Sequence, residues 1–278
     1  MRGWWRSRSP DLANGGGKPP LAHAARARAP ARRPSRLPPP PPLPPPGYDY
    51  GDVLGLSLLF YEAQRSGKLP ASHRVSWRSD SNLGDKAPDG SDAQGGLHDA
   101  GDHLKINFPG AFAMGQLAWA LLDFRKGFDI AGQTDHARAT LRHAADYFIR
   151  CHYDDQALVA MVGGERGGRE ERGAADRGRR PRLPPLASQI GTEGSDHGYW
   201  GRPEDMKMYR QPISIDPSRP GSDLAGATAA MLAASSMNFE ETDPEYALLL
   251  EAHAREIYLM GRRREGLYAR NVPGVGNM

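Results

Sequence analysis

The sequence predicts an all-α domain with long loops, preceded by a tail that builds no core. Three observations carry this reading. Apolar residues recur at helical spacing in five separate stretches between residues 50 and 262. No clear run of alternating apolar and polar residues marks a strand. Gly, Pro and Asp concentrate between the helical stretches, where they mark loops.

Residues 1–47 lack apolar periodicity, are rich in Arg, and end in "RLPPPPPLPPPG". A proline run favours polyproline II, so a disordered basic tail with a stiff linker is expected there. "YGDVLGLSLLFYEAQRSG" then sets Val53, Leu54, Ser57, Leu58 and Tyr61 on one helical face and stops at Gly67, with Pro70 beyond. "PGAFAMGQLAWALLDFRKGF" is apolar enough for a largely buried second helix, and Trp119 and Trp77 are expected in the core. "TDHARATLRHAADYFIRCH" gives a third, with Asp135 as cap or first-turn acid. "SDLAGATAAMLAASSMNF", starting at Ser222 or Asp223, is a small-residue helix suited to close packing. "DPEYALLLEAHAREIYLMGR" takes Asp243 as cap and Pro244 at the first helical position. One segment does not fit: about 163–187 is Gly-, Arg- and Pro-rich, and residues 166–182 hold seven Arg. It reads as a disordered insert or as translated non-coding sequence, with the second favoured.

Charge and cysteine content exclude several functions. The net charge of +3 comes from the Arg-rich tail and insert, so the body has no nucleic-acid footprint. A single cysteine, Cys151, permits neither an internal disulfide framework nor a Cys-based zinc site. No run reaches the ~18 apolar residues of a membrane span, and the N-terminus has no apolar signal-peptide core.

The stretch "GGLHDAGDHLKINFP", residues 95–109, sets two aspartates, Asp99 and Asp102, three residues apart. Two carboxylates this close need solvent, a cation, hydrogen bonds or a chemical purpose. An Asp-rich turn or a calcium loop is the bland account of a lone D-x-x-D. The flanks change that account. Together with "FYEAQRSGKLP", R-x-x-W-R-x-D-S, "SDHGYWGRPEDM" and the segment from "PGSDLAGATAAM", this stretch resembles the start of a glycoside hydrolase family 9 catalytic domain over roughly 48–162 and 188–270.

The resemblance implies a partial (α/α)6 barrel of helical hairpins and an endo-β-1,4-glucanase acting on cellulose or related β-glucans with inversion. It implies Asp102 as the catalytic base and Asp99 as the partner that holds the same water. Gly101 is expected to let the backbone turn between them. His197, following Asp196, is expected to contact sugar. Trp200 and Tyr199 are weaker candidates for stacking on a pyranose face, and His98 lines or packs beside the loop. His103 is expected to be structural. The implied partner is the polysaccharide, without nucleic acid or membrane, for a monomer acting outside the cell. No metal or cofactor is assigned to this stretch; the calcium loop of some members lies in the part that follows.

Where the family continues, this sequence stops at "LYARNVPGVGNM". The general acid of the family comes later, and no glutamate here, Glu204 included, sits in a matching context. The expectation is therefore an incomplete domain, inactive by itself and unstable through exposed inner faces. A non-catalytic β-glucan-binding remnant and a plain helical scaffold are the alternatives.

Overall fold

A computed structural model describes residues 47–164, 196 and 198–272 of the chain. The tail 1–46, most of the predicted insert (165–187) and His197 lie outside the described residues. The helices are α1 (Tyr50–Ala63), α2 (Asn107–Asp123), α3 (Arg125–Ile130), α4 (Thr134–Cys151), α5 (Ser222–Phe239), α6 (Pro244–Arg263) and the short α7 (Tyr268–Asn271).

Local chemistry sets the ends. Asp49 caps α1, its side chain accepting from the Asp52 N–H at 3.0 Å. Asp243 caps α6 by accepting from the Tyr246 N–H at 3.2 Å, with Pro244 at the first helical position, as the sequence indicates. Asp135 lies in the first turn of α4, so it serves the helix dipole and is not the cap.

Cross-helix contacts fix the directions. The Asn107 side chain, at the start of α2, reaches Tyr147 and Cys151 near the end of α4, so these two helices run antiparallel. Gly261 near the end of α6 abuts Ser222 and Ala225 at the start of α5, making a second antiparallel pair. Between pairs the sense is parallel. Gly115 faces Met231 and the Ala118 carbonyl accepts from Asn238, which sets α2 along α5. Arg142 meets Asp243 and His152 meets His253, which sets α4 along α6. Two helical hairpins therefore stand side by side, as in a two-layered helical barrel. Met114, Leu121, Leu141, Leu224, Met231, Leu250 and Ile257 fill the space among them. The small residues of α5 let its neighbours approach, as the sequence predicts.

Three expectations change. On α1 the buried positions are Leu58 and Glu62, with Leu54 and Tyr61 partly buried, while Val53 and Ser57 face outward. The α2 helix buries only one face (Ala111, Met114, Ala118, Leu121); Phe112 and Trp119 are exposed, and so is Trp77. Apolar side chains also stand exposed on α1 (Leu56, Phe60) and α6 (Leu248, Leu249, Leu259).

The structure also contains a small antiparallel sheet that the sequence reading does not include. It comprises β1 (Lys105–Ile106), β2 (Leu158–Gly164) and β3 (Arg210–Ile215), in the order β1-β2-β3. Lys105 pairs with Val162, and Gly164 with Arg210. Residues Leu158–Val162 are buried on both sides, which removes the alternation that identifies a half-exposed strand. Gly163 and Gly164, assigned above to the insert, belong to β2.

Candidate active site

The Asp99–Asp102 loop enters β1 directly, so the sheet positions it. Two features shape its approach. Gly96 has φ +76°, and a Cβ there would lie 2.7 Å from the Tyr147 ring, so the second glycine of "GG" is required both by conformation and by space. Within the loop the left-handed residue is Ala100, with φ +48°. Gly101 is not left-handed, and a Cβ there would meet nothing within 4 Å. The expectation that Gly101 makes the turn is therefore corrected: Ala100 makes it, at a steric cost of about 1–2 kcal/mol for a residue bearing a Cβ.

The loop closes on itself. The Asp99 N–H donates to the Leu104 carbonyl at 2.7 Å, and the Leu104 N–H donates back to Asp102 Oδ1 at 2.9 Å. Asp99 and Asp102 are each partly exposed. Burial first, then the charge of Asp102, raises the Asp99 carboxyl above its ordinary value.

A buried ion network holds the loop from beneath. Arg210 Nε donates to Asp85 Oδ1 at 2.8 Å, its Nη1 to Asp196 Oδ2 at 3.3 Å and its Nη2 to the His103 carbonyl at 2.7 Å. Asp196 Oδ1 in turn accepts from the His103 N–H at 2.8 Å. Both backbone groups of the residue after Asp102 are thereby fixed. Lys105 Nζ lies 2.7 Å from Asp85 Oδ2 and donates to the carbonyls of Ala93 and Gly95, each at 3.0 Å. Asp85, Lys105, Asp196 and Arg210 are all buried. Their charges are mutually paired, which burial of four ions requires. Sequence reasoning missed Asp85 and Arg210. Lys105 was legible as part of the motif's flank, but its partner Asp85 sits in a loop with no pattern that points to it, and Arg210 lies over a hundred residues further along.

The other candidates separate by position. His98 is buried, its Nε2 2.7 Å from Asn82 Oδ1, and its ring meets the His103 ring edge-on at 5.5 Å. Burial, then the charges of Arg210 and Lys105, holds the His98 imidazole well below its ordinary pKa. Tyr199 packs edge-on against His103 at 5.6 Å and donates from its hydroxyl to the Arg202 carbonyl at 3.2 Å. Trp200 is 97% exposed. Arg202 reaches the Trp77 carbonyl at 3.1 Å, bringing the Trp77 and Trp200 loops together. The structure thus brings Tyr199 to the Asp99–Asp102 loop, through His103, and leaves Trp200 free to solvent.

Glu204 is committed elsewhere. Burial alone would raise its carboxyl, but the Ser79 N–H at 3.0 Å and Arg78 Nε at 2.8 Å outweigh it and hold the pKa at about 2. A general acid needs the opposite shift.

Among the described residues, one group of three possible metal ligands has donor atoms within 4.8 Å of one another: His152, His253 and Glu256. Two of its donors are imidazoles, so it does not suit calcium, which takes an oxygen shell.

Comparison with known proteins follows the same lines. The family described as Glycosyl hydrolase family 9 matches residues 50–277. Endoglucanase 5 of Arabidopsis thaliana is 40% identical over 228 residues, covering 82% of this chain and 32% of that protein. Endoglucanase 1 of Oryza sativa subsp. japonica is 37% identical over 228 residues, covering 82% and 31%. The solved endoglucanase from the termite Nasutitermes takasagoensis superposes with a TM-score of 0.69 at 42% identity, covering 81% of this chain and 45% of that one. The cellulase Cel9M of C. cellulolyticum, solved in one case with cellobiose, superposes at 0.67 with 29% identity, over 80% and 45%. The chain therefore spans about a third of the length of the curated relatives it matches. With the paired aspartates, the hairpin layers and a family match over most of its length, the chain belongs to glycosyl hydrolase family 9 and adopts part of its helical barrel.

Proposed function

We propose that residues 48–272 are the base-bearing part of an endo-β-1,4-glucanase that hydrolyses cellulose or related β-glucans with inversion of configuration. The observation that carries this reading is the Asp99–Asp102 loop, closed by the Asp99–Leu104 hydrogen bond and braced through both backbone groups of His103. Two carboxylates on a rigid loop can accept both hydrogens of one water and aim its lone pair. Asp102 takes the proton as that water attacks the anomeric carbon, and Asp99 holds the water in place. Bracing matters because misplacement by ~1 Å can cost a factor of about 100. Tyr199 and the exposed Trp200 and Trp77 offer aromatic faces to a glucan, and His98 supports the loop from beneath. Inversion needs a second carboxyl group about 6.5–9.5 Å from the base. Glu204 does not fill that role, and the family resemblance implies an acid from the later part of the domain. A polymer substrate of this kind is met outside the cell.

The test compares the 278-residue chain with the same chain completed by the C-terminal part of the Arabidopsis relative. Reducing ends released from carboxymethylcellulose are measured for both. Release by the completed chain, falling ~10²–10⁴-fold in Asp102→Asn, supports the reading. Release unchanged by Asp102→Asn rejects it. Binding to swollen cellulose without any release favours a non-catalytic glucan-binding role.

A further inference from the structure

Outside the Asp99–Asp102 loop and its bracing residues, α4 and α6 meet at a cluster that the hydrolytic reading leaves unused. His152 follows the last residue of α4, and His253 and Glu256 stand three positions apart on α6, on one helical face. The Nδ1 atoms of the two histidines are 2.9 Å apart, and Glu256 Oε2 lies 4.0 Å from His152 Nδ1. The His152 side chain is buried, and its Nε2 has no hydrogen-bond partner.

We propose that His152, His253 and Glu256 form a binding site for an imidazole-preferring divalent transition-metal cation, copper(II) or nickel(II) ahead of zinc(II), which clips the end of α4 to α6.

Four observations support the assignment. First, the donor set is two imidazoles and one carboxylate, a nitrogen-rich combination that suits first-row transition metals and not magnesium or calcium. Second, the spacing has a geometry. With metal–nitrogen bonds of about 2.0–2.1 Å, nitrogens 2.9 Å apart subtend an angle of about 90° at the metal. Tetrahedral ligands would stand about 3.3 Å apart at the same bond lengths. The carboxylate oxygen, 4.0 Å from His152 Nδ1, is within reach of the same ion. A near-right-angle nitrogen pair suits tetragonal coordination, and imidazole-rich sites bind copper(II) and nickel(II) strongly.

Third, the two ligand nitrogens already face each other across a single shared proton, one Nδ1 donating to the other at 2.9 Å, so a cation entering between them displaces one proton. Fourth, the site lies at the C-terminal end of an 18-residue helix, where the aligned peptide dipoles favour positive charge. Glu256 is 61% exposed in its side chain and leaves an entry path from solvent. The chain's one thiol, Cys151, is adjacent in sequence but buried near Asn107 and pushed up to about 11 chiefly by burial, so it neither competes as a thiolate nor is oxidised readily.

The experiment titrates copper(II) into the tag-free 278-residue chain, followed by calorimetry and by electron paramagnetic resonance. One site is expected, with hyperfine splitting from two imidazole nitrogens and a concentration-dependent rise in melting temperature. His253→Ala should weaken it by at least the 10–100-fold typical of losing an outer partner, and should remove the two-nitrogen pattern. Glu256→Gln, at an exposed position that leaves folding untouched, should weaken it by about tenfold. Should His253→Ala fail to fold, the glutamine variant alone decides. Absence of a binding isotherm overturns the proposal. So does a site whose affinity and spectrum survive these substitutions, since that places the copper on other histidines.

Discussion

The carboxylate of Asp196 accepts from the backbone N–H of His103 at 2.8 Å, while Arg210, paired with that carboxylate, donates to the carbonyl of the same residue at 2.7 Å. One buried ion pair thus holds both polar groups of the peptide that follows the candidate base. The position of Asp102 is set both by its own loop and by residues 94 and 108 places further along.

Arg210→Met should be severely destabilising. It leaves Asp196 without its guanidinium and Asp85 with Lys105 alone, both buried. Removing one partner of such a network costs about 3–5 kcal/mol, read as a lower urea midpoint at unchanged slope. An unchanged midpoint would show that the network forms differently in solution.

The two glycine positions should respond in opposite ways. Gly96→Ala forces a methyl to within 2.7 Å of the Tyr147 ring at positive φ, a loss of at least about 2 kcal/mol. Gly101→Ala meets no neighbour and should change stability by less than about 1 kcal/mol. Ala100→Gly relieves about 1–2 kcal/mol of left-handed strain against about 0.4–1 kcal/mol of added unfolded-state entropy, so its melting temperature should stay level or rise.

Stability should decline between pH 6.5 and about 4 through His143. Burial lowers this imidazole from 6.5 to about 4, with Nε2 3.1 Å from the Gly96 carbonyl. The folded state keeps it neutral where the unfolded chain protonates. Its contribution is therefore full above pH 6.5 and is lost as pH falls toward the folded value, at up to about 1.4 kcal/mol per unit. His143→Gln should flatten this part of the profile in urea titrations at stepped pH.

Glu204 gives the acid-side counterpart. Its carboxyl, held at about 2 in the folded state against 4.5 unperturbed, adds stability above pH 4.5 that is lost as pH falls toward 2. Glu204→Gln should cost about 1.5–3 kcal/mol at pH 6, the range for hydrogen bonds to charged groups, and the gap to the unmodified protein should close on acidification. A constant gap would place the carboxylate away from Arg78.

Much of the fold was legible in sequence because it is written in short-range chemistry. Asp243 and Pro244 start α6 by capping and by fixed φ, and Ser222–Phe239 announces itself by its mostly small and apolar residues. The five principal helices follow from spacing that each segment carries within itself. The paired aspartates were legible too, as a motif with its flanks.

The rest depends on partners distant in sequence. The sheet escaped notice because β2 is buried on both faces and β1 has two residues, so neither shows alternation. The faces of α1 and α2 were misjudged because apolar content tells how much of a helix could be buried, whereas neighbours decide which side is. Trp77 and Trp119 stand in solvent for that reason. The left-handed turn fell on Ala100 and not on Gly101 because closure of the loop by Asp99 and Leu104 outweighs a local conformational preference. By itself the sequence determined the helices, the Asp243 cap and the spacing of the two carboxylates. Only the tertiary structure decided what braces those carboxylates and which histidines meet between α4 and α6, because charges and imidazoles pair through space across a hundred residues of chain.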